Sequence, residues 1–296
     1  MKKILFLLIS ILFSLSTVKG QEIIEIDPLF EYPVAPEEME SLTDRCDYIV
    51  KNFWNNFDFK RKEPVDQYAL NSAFQVYAST IPYASVKEVE QSVSKLVEKI
   101  SGNPILLLQF TKAAEENFYG PRAEIWVDDL YLEFLEALIK NKKIPEARKT
   151  KYITQASALR SSKVGNVAPS FEFIDVNGTT KNYFPMSTPT LLIFGNPEDT
   201  DWRLARLKLE SNLQLGDALD KGKINILYMV PYTIDNLKNV VSNYNKHWTI
   251  GQAEEISKIY DLKTIPTVYI ISSEGKILRK NIPLFEAVDI VLDIIK

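Results

Sequence analysis

The 296-residue chain holds one cysteine, Cys46, and one histidine, His247. A single thiol excludes a disulfide within the chain and any dithiol cycle in one molecule, because exchange needs one thiolate to attack and a second thiol to resolve the mixed disulfide. A single imidazole excludes a His-pair metal site, and any His-dependent triad would have to use His247, which lies in the loop-like segment "NKHWTIG". Glycine is sparse, with 10 residues, and no phosphate-cradling glycine spacing, serine-nucleophile motif or calcium-loop spacing occurs. Glu198, Asp199 and Asp201 could hold a hard cation weakly, yet acids at a helix start explain them without one. The expectation is a protein with no metal and no cofactor.

Long apolar runs are missing as well, apart from Ile4 to Leu15 behind Lys2 and Lys3. A basic start, a short apolar segment and small residues at Val18 and Gly20 read as a signal peptide over residues 1–20, cleaved before Gln21. The segment is shorter than the roughly 20 residues a membrane span needs, and nothing later approaches that length. An exported protein, periplasmic or extracellular, is expected, with no membrane span after cleavage. Losing Lys2, Lys3 and Lys19 leaves 32 basic residues against 39 acidic ones, so the formal charge moves from −4 to −7. Nucleic acid and anionic lipid both need a basic face, which this balance does not provide.

What is present is first helical and then alternating. After an extended segment over residues 21–35, Pro36, Pro64, Pro82 and Pro104 punctuate a run of amphipathic helices that reaches residue 162. The first is read from Pro36, with three acids in its opening turn. In "SVKEVEQSVSKLVEKI" the residues Val86, Val89, Val93, Leu96, Val97 and Ile100 recur at helical spacing. The dense aromatics, among them Phe53, Trp54, Phe74, Phe110 and Phe134, read as core rather than as a ligand groove. Cys46 shares a helical face with Leu42, Ile49, Val50 and Phe53, which predicts a buried, structural thiol. From residue 163 the period changes. "FEFIDVNGTTKNYF" is a hairpin about Asn177-Gly178. A strand over Pro189–Gly195, a helix over 198–219, the strand "KINILYMVPY", a helix over 234–244 and a short helix over 253–260 follow. Two strands and a last helix, "LFEAVDIVLDII", end the chain. Strands alternating with helices predict a mixed central sheet flanked by helices.

Three stretches of this second region resemble the thioredoxin superfamily, in its exported thiol–disulfide oxidoreductase and peroxiredoxin-like branch. "VGNVAPSF" resembles the motif that opens those domains. "TLLIFGNPEDTDWR" resembles the strand and helix start that carry their redox pair. "IYDLKTIPTVYIISSEGKIL" resembles the segment that runs through a cis-proline into a hairpin. The resemblance spans residues 163–296 and implies an α/β thioredoxin-like domain behind the α-helical one. It places the redox-pair positions on Asp199 and Trp202, where neither side chain can perform thiol exchange. It also implies that Thr264, Ile265 and Pro266 form an edge that pairs with an extended polypeptide. Asn196 followed by Pro197, Glu198 and Asp199 reads as a capped helix start. Trp202 would either cover the vacated site or present an aromatic surface to a partner. The helical region, through "FEYPVAPEEMESLTDRCDYIVKNFWNNFDF", resembles an uncharacterised domain that precedes thioredoxin-like domains in secreted proteins of Bacteroidetes-type bacteria.

These readings predict an exported, redox-inactive thioredoxin-like protein that binds an extended peptide or protein along the Ile265–Pro266 edge, with no catalytic residue. Two alternatives belong to other classes. One is redox chemistry with a cysteine-bearing partner or through Cys46, which exposure of Cys46 would favour. The other is a structural or oligomerisation module.

Overall fold

The structure, a computed structural model, describes residues 28–185 and 187–296. The signal-peptide reading over residues 1–20 lies outside the described residues, as do residues 21–27 of the extended segment.

Six helices form the first half: α1 (Leu42–Asn52), α2 (Gln67–Thr80), α3 (Val86–Ser101), α4 (Pro104–Ala114), α5 (Asp128–Lys140) and α6 (Glu146–Ser161). Their starts follow capping chemistry. Ser41, Asp66 and Asn103 each accept a backbone N–H from the first turn they precede, and Pro104 fills the first helical position behind Asn103. The residue ahead of α3 is held by another helix: Asp47 on α1 accepts the Ser85 N–H at 2.6 Å and the Ser85 hydroxyl at 2.8 Å. Helix α1 therefore begins at Leu42 and not at Pro36. Residues Pro36–Met39 form a turn closed by the Met39 N–H on the Pro36 carbonyl, and the capping serine lies five residues beyond the proline. Phe53, Phe74, Tyr77, Phe110, Phe118, Tyr131 and Phe134 are fully buried in one cluster with Trp54, so the aromatics are core. The one hydroxyl pair within it is satisfied: Tyr77 donates to Ser92, which donates to the Val50 carbonyl.

The second half is a seven-stranded mixed sheet built from β1 (Phe171–Asp175), β2 (Thr180–Tyr183), β3 (Thr190–Phe194), β4 (Asn225–Val230), β5 (Thr249–Gln252), β6 (Thr267–Ile271) and β7 (Ile277–Lys280), in the order β2-β1-β5-β4-β3-β6-β7. Strands β3, β4 and β5 run parallel and the other pairs are antiparallel. Every residue of β3 is buried, as expected of a central strand covered on both faces. Leu191 and Ile193 enter one cluster with α7 (Thr200–Glu210), α8 (Leu213–Asp220) and α10 (Leu284–Ile294), while Leu192 and Phe194 enter the cluster on the opposite face. Gly178, in the left-handed region, makes the β1–β2 turn.

Four sequence readings change here. The helix read over 198–219 is two helices, because Asn212 stops the first and caps the second through the Leu215 N–H. Of the helix read over 234–244 only one turn forms, α9 (Leu237–Val240), which starts from Asn236 in the left-handed region. The one read over 253–260 is a single tight turn at Ile256–Lys258. Conversely, Thr249–Gln252 is a strand although it reads as loop: four residues too short for a period are ordered by pairing with both β4 and β1.

Candidate functional site

The site is built where the C-terminal end of β3 turns into α7. Asp199 caps α7: its side chain accepts the Trp202 N–H at 2.7 Å and its carbonyl accepts the Arg203 N–H. Asn196 has a smaller task than the sequence reading gave it. Its side chain accepts the Glu198 N–H in the turn ahead of the helix, and α7 starts at Thr200.

Trp202 presents no surface. The ring is fully buried and stacks on Tyr228 at 4.6 Å with 9° between planes, and its indole N–H donates to the Tyr244 hydroxyl at 2.8 Å. The reading that placed a partner on an exposed Trp202 is thus corrected, because the side chain turns under α7 into the core. Tyr228 explains Gly195, since a Cβ there would lie 2.6 Å from the Tyr228 ring. Burial raises the phenols of Tyr228 and Tyr244 above their usual range, so both stay neutral, with the Tyr244 hydroxyl accepting from Trp202. Arg206 seals the far side, its guanidinium 4.2 Å from the Tyr244 ring centre and paired with Glu210 at 3.0 Å. Asp199 and Trp202 thus serve as a helix cap and as one layer of a packed aromatic stack.

The Ile265–Pro266 peptide bond is cis. Ile265 is 42% exposed, and among the described residues neither its N–H nor its C=O takes a hydrogen bond. The Thr264 carbonyl, by contrast, accepts from the Thr267 hydroxyl. Pro266 forms one wall of a groove of about 560 Å³ whose other walls are Leu204 and Ala205 on α7 and Leu284, Phe285 and Val288 on α10. Asp201, Lys208 and Asp289 mark its rim. The structure so brings the start of α7 and the cis-proline together, with an apolar floor between them.

Cys46 lies in the helical half, buried at 6% exposure. Burial, together with the neighbouring Asp47, pushes its thiol above the usual range, which suppresses the nucleophilic thiolate. His247 is exposed, with Asp220 3.4 Å from its Nε2, and takes no part in the groove.

Sequence reasoning passed over a charged cluster beside the cis-proline. Lys263 and Asp261 are wholly buried and paired. Lys263 also reaches Asp128 on α5 at 2.6 Å, and Lys280 on β7 reaches Asp128 at 2.7 Å and Asp261 at 3.1 Å. The available signal was "DLKT", an acid and a base two residues apart in an otherwise apolar stretch.

A mixed sheet with a parallel centre, a helix launched from its inner strand β3 and a cis-proline facing that helix define a thioredoxin-like fold, here behind a helical N-terminal region. Residues 14–162 match the family described as Domain of unknown function (DUF5106), and the chain belongs to that family. A thioredoxin-like protein from Bacteroides caccae is similar in structure, with a TM-score of 0.71 and 19% identity over 89% of this chain and 98% of its own. A conserved protein of unknown function from Bacteroides fragilis gives a TM-score of 0.41 at 18% identity, covering 44% of this chain and 99% of that one. The thioredoxin domain of a thiol-disulfide oxidoreductase from Bacteroides vulgatus gives 0.37 at 18% identity, covering 44% and 97%. No curated protein matches the sequence. No helix among the described residues is long and apolar enough to cross a membrane.

Proposed function

We propose that this is an exported, redox-inactive thioredoxin-like protein that binds an extended polypeptide across the Ile265–Pro266 edge. In this reading it comprises a helical unit up to residue 162 and a thioredoxin-like unit beyond it. The observation that carries the reading is the pairing of an unreactive helix start with an open edge. Asp199 and Trp202 stand where exchange would need two thiols, while the unpaired backbone of Ile265 borders an apolar groove. An extended segment could add to that backbone by strand-type hydrogen bonds and place a side chain in the groove, which gives affinity without chemistry. Burial of Cys46 in the helical half weighs against the alternative that runs through a mixed disulfide.

Two assays on the mature protein test this. In an insulin-reduction assay, both the wild type and Cys46→Ser are expected to match the uncatalysed rate. A permanently unfolded, carboxymethylated test protein is expected to bind the wild type and to lose affinity for Ile265→Asp. Turnover that vanishes with Cys46→Ser would overturn the redox-inactive reading. Binding indifferent to Ile265→Asp would overturn the edge.

A further inference from the structure

The loop that carries the cis-proline contains a lysine with no route to water. The Lys263 side chain is 0% exposed. Its ammonium sits between Asp261 of its own half and Asp128 of α5, and lies 4.7 Å from the ring centre of Tyr119 and 5.9 Å from that of Trp126. Asp128, Tyr119 and Trp126 all belong to the helical half. A buried ammonium is tolerated only when it is paired and its remaining face meets favourable groups, such as the electron-rich faces of aromatic rings.

The charge count makes the dependence one-sided. Lys263 and Lys280 are both buried, with side chains 0% and 8% exposed, and the thioredoxin-like half sets only Asp261 against them. The second carboxylate, Asp128, comes from the helical half. Without it the cluster holds one uncompensated positive charge, a state far costlier than the neutral set. Two hydrogen bonds between the halves flank the cluster, and a third fixes Asp261 within its own half. The Ser161 hydroxyl donates to the Ile259 carbonyl at 2.6 Å, the Asp261 N–H to the Ser162 hydroxyl at 3.1 Å, and the Tyr269 hydroxyl to the Asp261 carbonyl at 2.8 Å. The loop is thus tied to the end of α6 just before Leu262 and to α5 through Lys263.

We infer that the helical half is a positioning element for the cis-proline loop, with Asp128, Tyr119 and Trp126 forming a receptor for Lys263 that holds Thr264–Pro266 in place. The two halves are then one device: the helical half holds the edge, and the thioredoxin-like half presents it.

Hydrogen exchange across the full mature protein tests this with Asp128→Asn and the double variant Asp128→Asn/Lys263→Met. Asp128→Asn leaves a buried excess of positive charge, so exchange over residues 256–268 should accelerate on the order of a hundredfold while β3 and β4 keep their protection. Adding Lys263→Met restores neutrality and should return most of the lost protection. Wild-type exchange in Asp128→Asn, acceleration spread evenly over the whole sheet, or a double variant as loose as the sum of the two single changes would each overturn the inference. Should Asp128→Asn fail to fold, lysine acylation of the wild type decides. Lys263 and Lys280 should resist a reagent that modifies Lys62 and Lys208, and prompt modification of Lys263 would overturn it. One consequence rests on the binding reading above, namely that Asp128→Asn weakens capture of the unfolded test protein with the groove unaltered. The exchange result does not depend on that reading, so the two can fail separately.

Discussion

Asp199 and Trp202 have structural work that a cysteine pair could not take over without cost. Asp199 caps α7, so Asp199→Ala should lower stability by about 1 kcal/mol in denaturant unfolding. Trp202 is fully buried against Tyr228 and Tyr244, and Trp202→Ala should cost roughly 3–5 kcal/mol, read in the same way. A loss below about 1 kcal/mol, the cap-sized effect, would show that the stack does not support the fold. Cys46 is the third residue of consequence. Its buried, raised thiol should react with a thiol probe only slowly in the native protein and fully after unfolding, and rapid native labelling would reopen the thiol alternative. Legibility at this scale was uneven. Asp199 as a helix-start acid was readable because capping is local chemistry. The inward turn of Trp202 was not, because a residue's facing depends on where the helix lies on the sheet.

Among the elements, α7 and α10 with the cis-proline loop make an apolar groove that adjoins the edge. Leu204 is 57% and Phe285 74% exposed on its walls, so acidic replacements there should disturb binding and spare the fold. Leu204→Glu with Phe285→Glu is expected to abolish capture of an unfolded test protein while thermal stability changes little, since exposed positions contribute little to folding. Loss of both together would instead make these side chains part of the core. The elements themselves were legible where a period could repeat. Helices α3 and α5 and the buried strands β3, β4 and β6 follow from apolar spacing alone. Strand β5 and the break between α7 and α8 did not, since four residues show no period and Asn212 reads as a cap only once Leu215 is seen to donate to it.

For the whole molecule, the charged cluster sets how the halves respond to acid. Burial alone pushes the Asp128 carboxyl up, but Lys263 and Lys280 beside it more than reverse this and hold it below the usual carboxylate range. A carboxylate held lower in the folded state adds stability that is fully present above its unfolded value and is lost as pH falls through the folded one. Stability should therefore decline below about pH 4, the unfolded carboxylate range, and Asp128→Asn should flatten that limb of the stability profile while lowering the plateau at neutral pH. An unchanged acid limb in Asp128→Asn would remove Asp128 from the account.

The sequence by itself determined the two kinds of architecture, the single thiol, the absent redox pair and the cis-proline segment. All of these rest on residue identity, local spacing or resemblance over a continuous stretch. Only the tertiary structure decided that Trp202 faces inward, that Pro266 and α10 share a groove, and that Asp128 stands 2.6 Å from Lys263 across 135 positions of chain. Contacts of that kind follow from how helices dock on a sheet. Docking is set by shape and charge summed over many residues, which no short stretch of sequence carries.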